Sequence, residues 1–287
     1  MVYLSVFTFP NKDMEFDFFM KVKRTCYDSF YPFQILSRHD FERIDLEPVT
    51  ILYGGNGSGK STALNVIAEK TGINRDSIYN KSNFYPDYVN MCDIQLEADI
   101  PTNSRIITSD DVFDYMLNIR NLNEGIDQKR EKLFEEYLDA KYSHFQMKSI
   151  AEYEQLKKVN NARSRTQSRF VRNELMANVR EYSNGESAFL YFTEKIGENG
   201  LYILDEPENS LSPKRQMELM KFIEDSARFL GCQFIISTHS PFLLAMSGAK
   251  IYDLDAKPVD VNSGPNWKMC EHILNFSEDM KTSFDIK

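Results

Sequence analysis

Over the first hundred residues, and again beyond residue 200, apolar residues fall in short runs broken by polar, Gly- and Pro-bearing stretches. Between these regions they recur at three- and four-residue steps. Residues 2–9 alternate loosely and predict a first strand, and residues 30–36 predict another. Asp45-Leu46-Glu47-Pro48 turns the chain into Val49–Tyr53, an apolar, β-branched run that reads as a buried strand, and Ala63–Ala68 reads as a helix ending near Gly72. Residues 73–95, rich in Asn, Ser, Tyr and Pro, predict mostly loop. Arg105–Thr108 predicts a short strand, and Thr108-Ser109-Asp110-Asp111 predicts a helix cap. From about 111 to 181 the pattern is helical. Tyr115, Ile119, Leu122 and Ile126, then Leu133, Tyr137, Leu138 and Tyr142, keep a helical step, with a bend expected at Gly125. Proline is absent from 102 to 206, and the heptads are not sustained enough for a coiled-coil arm. Gly200–Asp205, Gln233–Ser237 and Ile251–Leu254 read as further buried strands, with Ser212-Pro213 opening an intervening helix. Strands alternating with helices predict an α/β fold with a mostly parallel sheet. The expectation is a single domain over 1–287 with a helical lobe at about 111–181 inserted in its core. The last thirty residues are weakly patterned, and no internal repeat or low-complexity tract is present.

Composition narrows the class. The 287 residues are 42% hydrophobic and 27% charged, ordinary for a soluble globular protein with ample length for a core. A net charge of −9 and a pI of about 5.1 exclude a polyanion binder on overall charge. No apolar run approaches the ~20 residues that span a bilayer, and the N-terminus reads as lacking a secretory leader. Cys26, Cys92, Cys232 and Cys270 are far apart, as expected of free thiols in a reducing cytoplasm. The four histidines are equally scattered, so the expected metal is limited to nucleotide-bound Mg²⁺.

The candidate chemistry begins at Gly54-Gly55-Asn56-Gly57-Ser58-Gly59-Lys60-Ser61, followed by Thr62. It fits G-x-x-x-x-G-K-[ST] between a predicted strand and a predicted helix. Glycines let the backbone curl so that successive N–H groups point at phosphate oxygens, and the helix N-terminus adds partial positive charge. Lys60 is expected on the β- and γ-phosphates and the Ser61 hydroxyl on Mg²⁺. A phosphate loop requires a carboxylate at a strand end, and Leu201-Tyr202-Ile203-Leu204-Asp205-Glu206 supplies two. Asp205 is expected on the metal and Glu206 on the attacking water. Ser237-Thr238-His239-Ser240-Pro241 follows another apolar run and offers His239 as a γ-phosphate contact; the competing reading is a turn histidine capping the next helix.

Between the loop and the acids lies Ser183-Asn184-Gly185-Glu186-Ser187. The order GxxxxGKS, S-x-G-E, hydrophobic-DEP and STHSP, spanning residues 49 to 241, resembles the ABC-class P-loop ATPases. That resemblance implies ATP and Mg²⁺ as cofactors. It also implies a head-to-tail homodimer formed on ATP binding, in which Ser183, Gly185 and Glu186 complete the nucleotide site of the partner subunit. Transporter subunits of the class typically read LSGGQ and DEPTSALD. Here the stretch is Asp-Glu-Pro-Glu-Asn-Ser-Leu-Ser-Pro, with Ser212 where transporters carry an Asp. This looks more like the OLD, RecF and SMC side of the class, and most like small stand-alone bacterial ATPases linked to phage defence or toxin–antitoxin modules. Gln95 and the Ser109-Asp110 turn are candidates for the class's glutamine loop, and Phe30 or Tyr31 for an adenine-stacking ring.

Residues 157–180 carry seven Lys or Arg against one acid, Glu174. On a helix Arg165, Arg169 and Arg172 would share a narrow sector. That face is open to three readings: a solvated surface, a partner-docking or nucleic-acid face, or an approach to nucleotide. The expected function is ATP hydrolysis that works a clamp or switch on a separate effector protein, with no membrane partner. A DNA-repair clamp, a transporter ATPase subunit and a non-hydrolysing scaffold stand as alternatives.

Overall fold

The computed structural model describes residues 1–23, 26–145, 152–175, 177–178, 183–256 and 259–263. They form two compact units, Met1–Phe113 with the chain from Asn184 onward, and Asp114–Ser183.

The first unit is built on a sheet of six strands: β3 (Val49–Tyr53), β5 (Arg105–Thr108), β6 (Leu201–Asp205), β7 (Gln233–Ser237), β8 (Lys250–Asp253) and β9 (Asp260–Ser263). Their order is β5-β6-β7-β3-β8-β9, the first five parallel and β9 antiparallel. This is the expected α/β architecture. Val49, Ile51, Leu52, Leu201–Leu204 and Phe234–Ile236 are buried, as near-continuous apolar strands of a parallel sheet should be. A smaller antiparallel sheet has β1 (Leu4–Thr8) between β2 (Arg43–Asp45) and β4 (Asp93–Leu96). The fully buried Gln233 staples the two sheets. Its Oε1 accepts from Tyr3 N–H at 2.8 Å and Leu4 N–H at 3.0 Å, and its amide donates to Leu4 O at 2.7 Å.

Helices α1 (Lys12–Lys21), α2 (Lys60–Thr71), α3 (Tyr85–Met91) and α4 (Ser109–Tyr142) follow in chain order. α2 ends at Gly72, whose left-handed φ of 67° lets its N–H reach back to Ala68 and Glu69. The cap at α4 is reciprocal: Thr108 N–H donates to Asp111 Oδ2 at 2.7 Å and Asp111 N–H to Thr108 Oγ1 at 3.4 Å.

One local expectation is corrected and a second is refined. Residues 30–36 are a turn, not a strand. Their aromatic rings pack in different directions, Phe30 on Phe84 and Phe33 on Phe18, each at 4.5 Å, and Gln34 takes a left-handed φ of 61°. The 73–95 stretch is loop and turn up to Phe84, as expected, and then holds α3 and the start of β4. Tyr85, Tyr88 and Val89, at helical spacing, bury one face of α3, and Pro86 occupies its first turn. The helix is not interrupted at Gly125: α4 runs unbroken for 34 residues. A single exposed glycine costs a helix only ~1 kcal/mol.

In the second unit α5 (Tyr153–Ser164) and α6 (Gln167–Glu174) share a small core with α4 through Leu133, Tyr137, Ala162, Phe170 and Val171. Here too an expectation changes: Arg165, Arg169 and Arg172 do not lie on one helix. Arg165 closes α5 in extended conformation, Thr166 starts α6, and only Arg169 and Arg172 share α6. The break is stabilised by Tyr137, whose hydroxyl donates to the freed Arg165 O at 3.1 Å. Lys157 pairs with Glu154, Lys158 with Glu136, and Arg163 donates to Ser143 O.

The remaining helices are α7 (Asn184–Lys195), α8 (Pro213–Phe229) and the short α9 (Pro241–Leu244). Cys26, Cys92 and Cys232 are free thiols, and Cys270 lies outside the described residues. Among the described residues no helix is long and apolar enough to cross a membrane.

Candidate nucleotide site

The strand order fixes where the chemistry meets. β7 lies between β3 and β6, so the C-terminal ends of all three deliver the phosphate loop, Ser237–His239 and Asp205–Glu206 to one edge of the sheet. Ligands in open α/β sheets bind at such an edge.

The loop after β3 needs its glycines. Gly59 has φ of 96°, and a Cβ there would stand 2.8 Å from Leu36 Cδ2. At Gly54 a Cβ would meet Ser58 Oγ at 2.8 Å. Gly57 also takes a left-handed φ, and Gly55 donates its N–H to Asp255 Oδ2 at 2.6 Å. Lys60 is buried beneath the loop. Its ammonium donates to Gly54 O at 2.7 Å and Gly55 O at 3.1 Å and lies 2.9 Å from His239 Nε2. Burial depresses its pKa, while Glu206, Asp205, Asp255 and Glu208 favour the charged form.

Ser61 Oγ donates to Asp205 Oδ1 at 3.0 Å, and Ser237 Oγ donates to the same oxygen at 2.5 Å. Burial pushes the Asp205 carboxyl up, although both hydroxyls oppose the shift. Glu208 is pushed up for the same reason; its Oε1 accepts from His239 N–H at 2.6 Å. With Glu206 and Asp255, four carboxylates thus crowd one lysine. A buried acid with a hydroxyl beside it and excess negative charge around it suits a hard divalent cation. Ser61 and Asp205 are the residues that would hold Mg²⁺.

Glu206 stands at the strand end in a left-handed conformation, φ 49°. Its N–H donates to Ser237 O and lies at the same 3.1 Å from Ser237 Oγ. Its Oε2 accepts from Asn209 Nδ2 at 3.0 Å, and its Oε1 lies 3.5 Å from His239 Nε2.

A cleft of about 390 Å³ opens over these groups. Asn56, Gly57, Gly59, Lys60, Ser61 and Thr62 line one side, Gln34, Ile35, Arg38 and His39 another, and Glu206 reaches it as well. The second group is the part that sequence reasoning missed. Phe30 and Tyr31 do not line this cleft: Phe30 packs on Phe84, and Tyr31 stacks on Tyr85 with its hydroxyl 3.2 Å from Thr62 Oγ1. The turn that does line it is anchored by the buried Glu15 of α1, whose Oε2 accepts from Gln34 N–H at 3.0 Å and Ser37 Oγ at 2.8 Å. α1 carries three acids, Asp13, Glu15 and Asp17, so the sequence does not single out Glu15. Of the glutamine-loop candidates, Ser109-Asp110 lines a smaller cleft with Ser61 and Asp205, whereas Gln95 sits on β4 and bonds Glu97.

Ser183 is exposed and directly precedes α7, with Gly185 and Glu186 in the first turn of that helix. Gly185 packs on the segment after the acids: a Cβ there would stand 3.3 Å from Ser210 O. Glu186 pairs with Arg215 at 3.4 Å. Neither residue lines the phosphate cleft.

A glycine-rich loop between strand and helix, with a lysine beneath it and a serine bonded to a strand-end aspartate, defines a P-loop nucleotide site. The family model described as ABC transporter matches residues 42–209, more than half of the chain, and the protein belongs to this family, the ABC-class P-loop ATPases. A second model, described as AAA domain, putative AbiEii toxin, Type IV TA system, matches residues 177–245. Solved structures are matched at low identity. A nucleotide-free ATP-binding cassette from an ABC transporter is 14% identical, covering 81% of this chain and 87% of that one, with a TM-score of 0.40. The ATP-binding cassette MJ0796 bound to ADP and Pi is 14% identical, covering 77% and 88%, with a TM-score of 0.37. The Smc head domain bound to the C-terminal domain of ScpA, from Pyrococcus furiosus, is 13% identical, covering 83% and 95%, with a TM-score of 0.37. No curated protein matches the sequence.

Proposed function

We propose that the protein hydrolyses ATP at a site completed by a second copy of itself, and that the cycle works a clamp or switch on a separate effector protein. The observation that carries this reading is the 3.0 Å bond between Ser61 Oγ and Asp205 Oδ1, made beside Lys60, Glu206 and His239. The loop N–H groups and Lys60 would hold the phosphates, and the cleft face of Ile35, Arg38 and His39 would receive the nucleoside. Mg²⁺ on Ser61 and Asp205 would supply charge neutralisation. Glu206 would orient and deprotonate the attacking water, and His239 would contact the γ-phosphate. Ser183, Gly185 and Glu186 would act on the partner's nucleotide: a hydroxyl and a close-approach glycine at a helix N-terminus suit a phosphate, and none of the three is among the residues lining the cleft of their own subunit.

The match to a putative toxin-system ATPase model over residues 177–245 supports an effector-linked role, in phage defence or a toxin–antitoxin module, over energising a transporter. A nucleic-acid role is supported by one observation. Residues 114–183 carry 13 Lys and Arg against 11 Asp and Glu, whereas the rest of the chain carries 21 against 32. DNA binding at low salt that is lost when Arg165, Arg169 and Arg172 are replaced together would favour that reading.

The deciding experiment is solution mass with and without ATP–Mg²⁺. Glu206→Gln is expected to become a dimer only with ATP, and Ser183→Arg to abolish the change. A mass indifferent to ATP in Glu206→Gln, with nucleotide bound, would sink the ATP-driven dimer.

A further inference from the structure

Glu206 has a fixed backbone and a carboxylate with two unequal oxygens. The left-handed φ of 49° and the N–H bonded to Ser237 O, with Ser237 Oγ also at 3.1 Å, set where the side chain starts. They do not set how the carboxylate turns, because the outer torsion of a glutamate is broad. That torsion is set by Asn209. Its Nδ2 donates to Glu206 Oε2 at 3.0 Å, and only the NH₂ end of an amide can face a carboxylate, so the orientation is chemically determined. Asn209 is itself tied back, its N–H donating to Glu206 O at 3.2 Å, while Leu211 N–H donates to Glu208 O at 2.9 Å. The segment then passes Ser210, whose carbonyl lies against Gly185.

We propose that Asn209 is a positioning residue for hydrolysis: it occupies one carboxylate oxygen of Glu206 and leaves the other, Oε1, turned toward His239 and free to take the proton of the attacking water. This rests on the reading of Glu206 as the general base. A plain turn asparagine would bond the backbone alone. Here the side chain is spent on the carboxylate.

The experiment is steady-state ATP hydrolysis by full-length Asn209→Ala and Asn209→Asp, beside wild type and Glu206→Gln, with Tm measured on the same preparations. Asn209→Ala is expected to lower kcat by roughly tenfold with KM within about twofold, because the carboxylate loses its orientation while ATP binding is untouched. Asn209→Asp, which places a like charge against Glu206, is expected to lower kcat at least as far. In the Glu206→Gln background Asn209→Ala is expected to change nothing more. A normal kcat in Asn209→Ala, with Glu206→Gln inactive, would overturn the proposal. A lower kcat with a raised KM and a lower Tm would also overturn it, reducing Asn209 to a structural turn residue. An active Glu206→Gln would instead overturn the reading of Glu206 as base.

Discussion

The Nζ of Lys60 stands 2.9 Å from Nε2 of His239, and the carbonyls of Gly54 and Gly55 accept the other two protons of the same ammonium. An ammonium is only a donor, so His239 accepts at Nε2 and carries its proton on Nδ1. With no proton on Nε2, Glu206 Oε1 at 3.5 Å is a neighbour of that nitrogen and not its hydrogen-bond partner. Nucleotide therefore has to draw Lys60 off three internal acceptors before the lysine can reach phosphate.

His239→Ala removes one of those acceptors and the proposed γ-phosphate contact together. The expected outcome is ATP affinity equal to or tighter than wild type with kcat reduced by ~10²-fold, the size of a lost transition-state donor. Equilibrium binding and single-turnover hydrolysis separate the two. Weaker binding with unchanged kcat would contradict the arrangement.

Burial raises the pKa of Asp205 and Glu208 in the folded chain above the ordinary carboxylate value. A raised folded pKa means that the native state binds more protons than the unfolded one. Stability is then lost as pH rises from the unfolded value through the folded one. Asp205→Asn should accordingly raise the Tm of the nucleotide-free protein at pH 7, by about 2–4 °C for each kcal/mol recovered at this chain size. The gain should shrink as pH falls toward 4, and Mg²⁺-dependent ATP binding should be lost. A Tm that drops at pH 7 would contradict this.

Glu15 does not line the cleft yet holds the turn that forms its other wall. Glu15→Ala leaves Gln34 N–H and the Ser37 hydroxyl without their acceptor, a cost of about 1–3 kcal/mol. The expected result is lower stability together with a KM for ATP raised several-fold and kcat nearly unchanged. Chemical denaturation and steady-state kinetics on the same preparation check both parts.

Gly125 lies in mid-helix, exposed, with open space where a Cβ would go. Gly125→Ala should stabilise the protein by ~0.5–1 kcal/mol through helix propensity alone, without altering hydrolysis.

Much of the site is legible in the sequence because its residues serve backbone geometry and charge at fixed spacing. Gly59 can be nothing larger, and Asp205 and Glu206 end an apolar strand. The cleft wall of Gln34–His39 is not legible, because it has no period: its shape comes from Phe30 and Phe33 docking on rings from α1 and α3 and from the distant acid Glu15. The α3 helix is masked by seven residues rich in Tyr, Pro and Asn, whose burial only the fold supplies. The arginine sector fails for a local reason: one extended dipeptide, Arg165-Thr166, rotates everything that follows it.

The placement of β3 between β7 and β8 also matters before the protein is finished. Val49–Tyr53 is made about 180 residues before the first of the two strands that flank it, which begin at Gln233 and Lys250. Until then this apolar strand has two open edges. The phosphate loop it carries meets Asp205 and His239 only once synthesis has passed residue 239. ATP capture should therefore report a chain extended beyond His239, and a product cut short before it should be a client for chaperones rather than a partial enzyme.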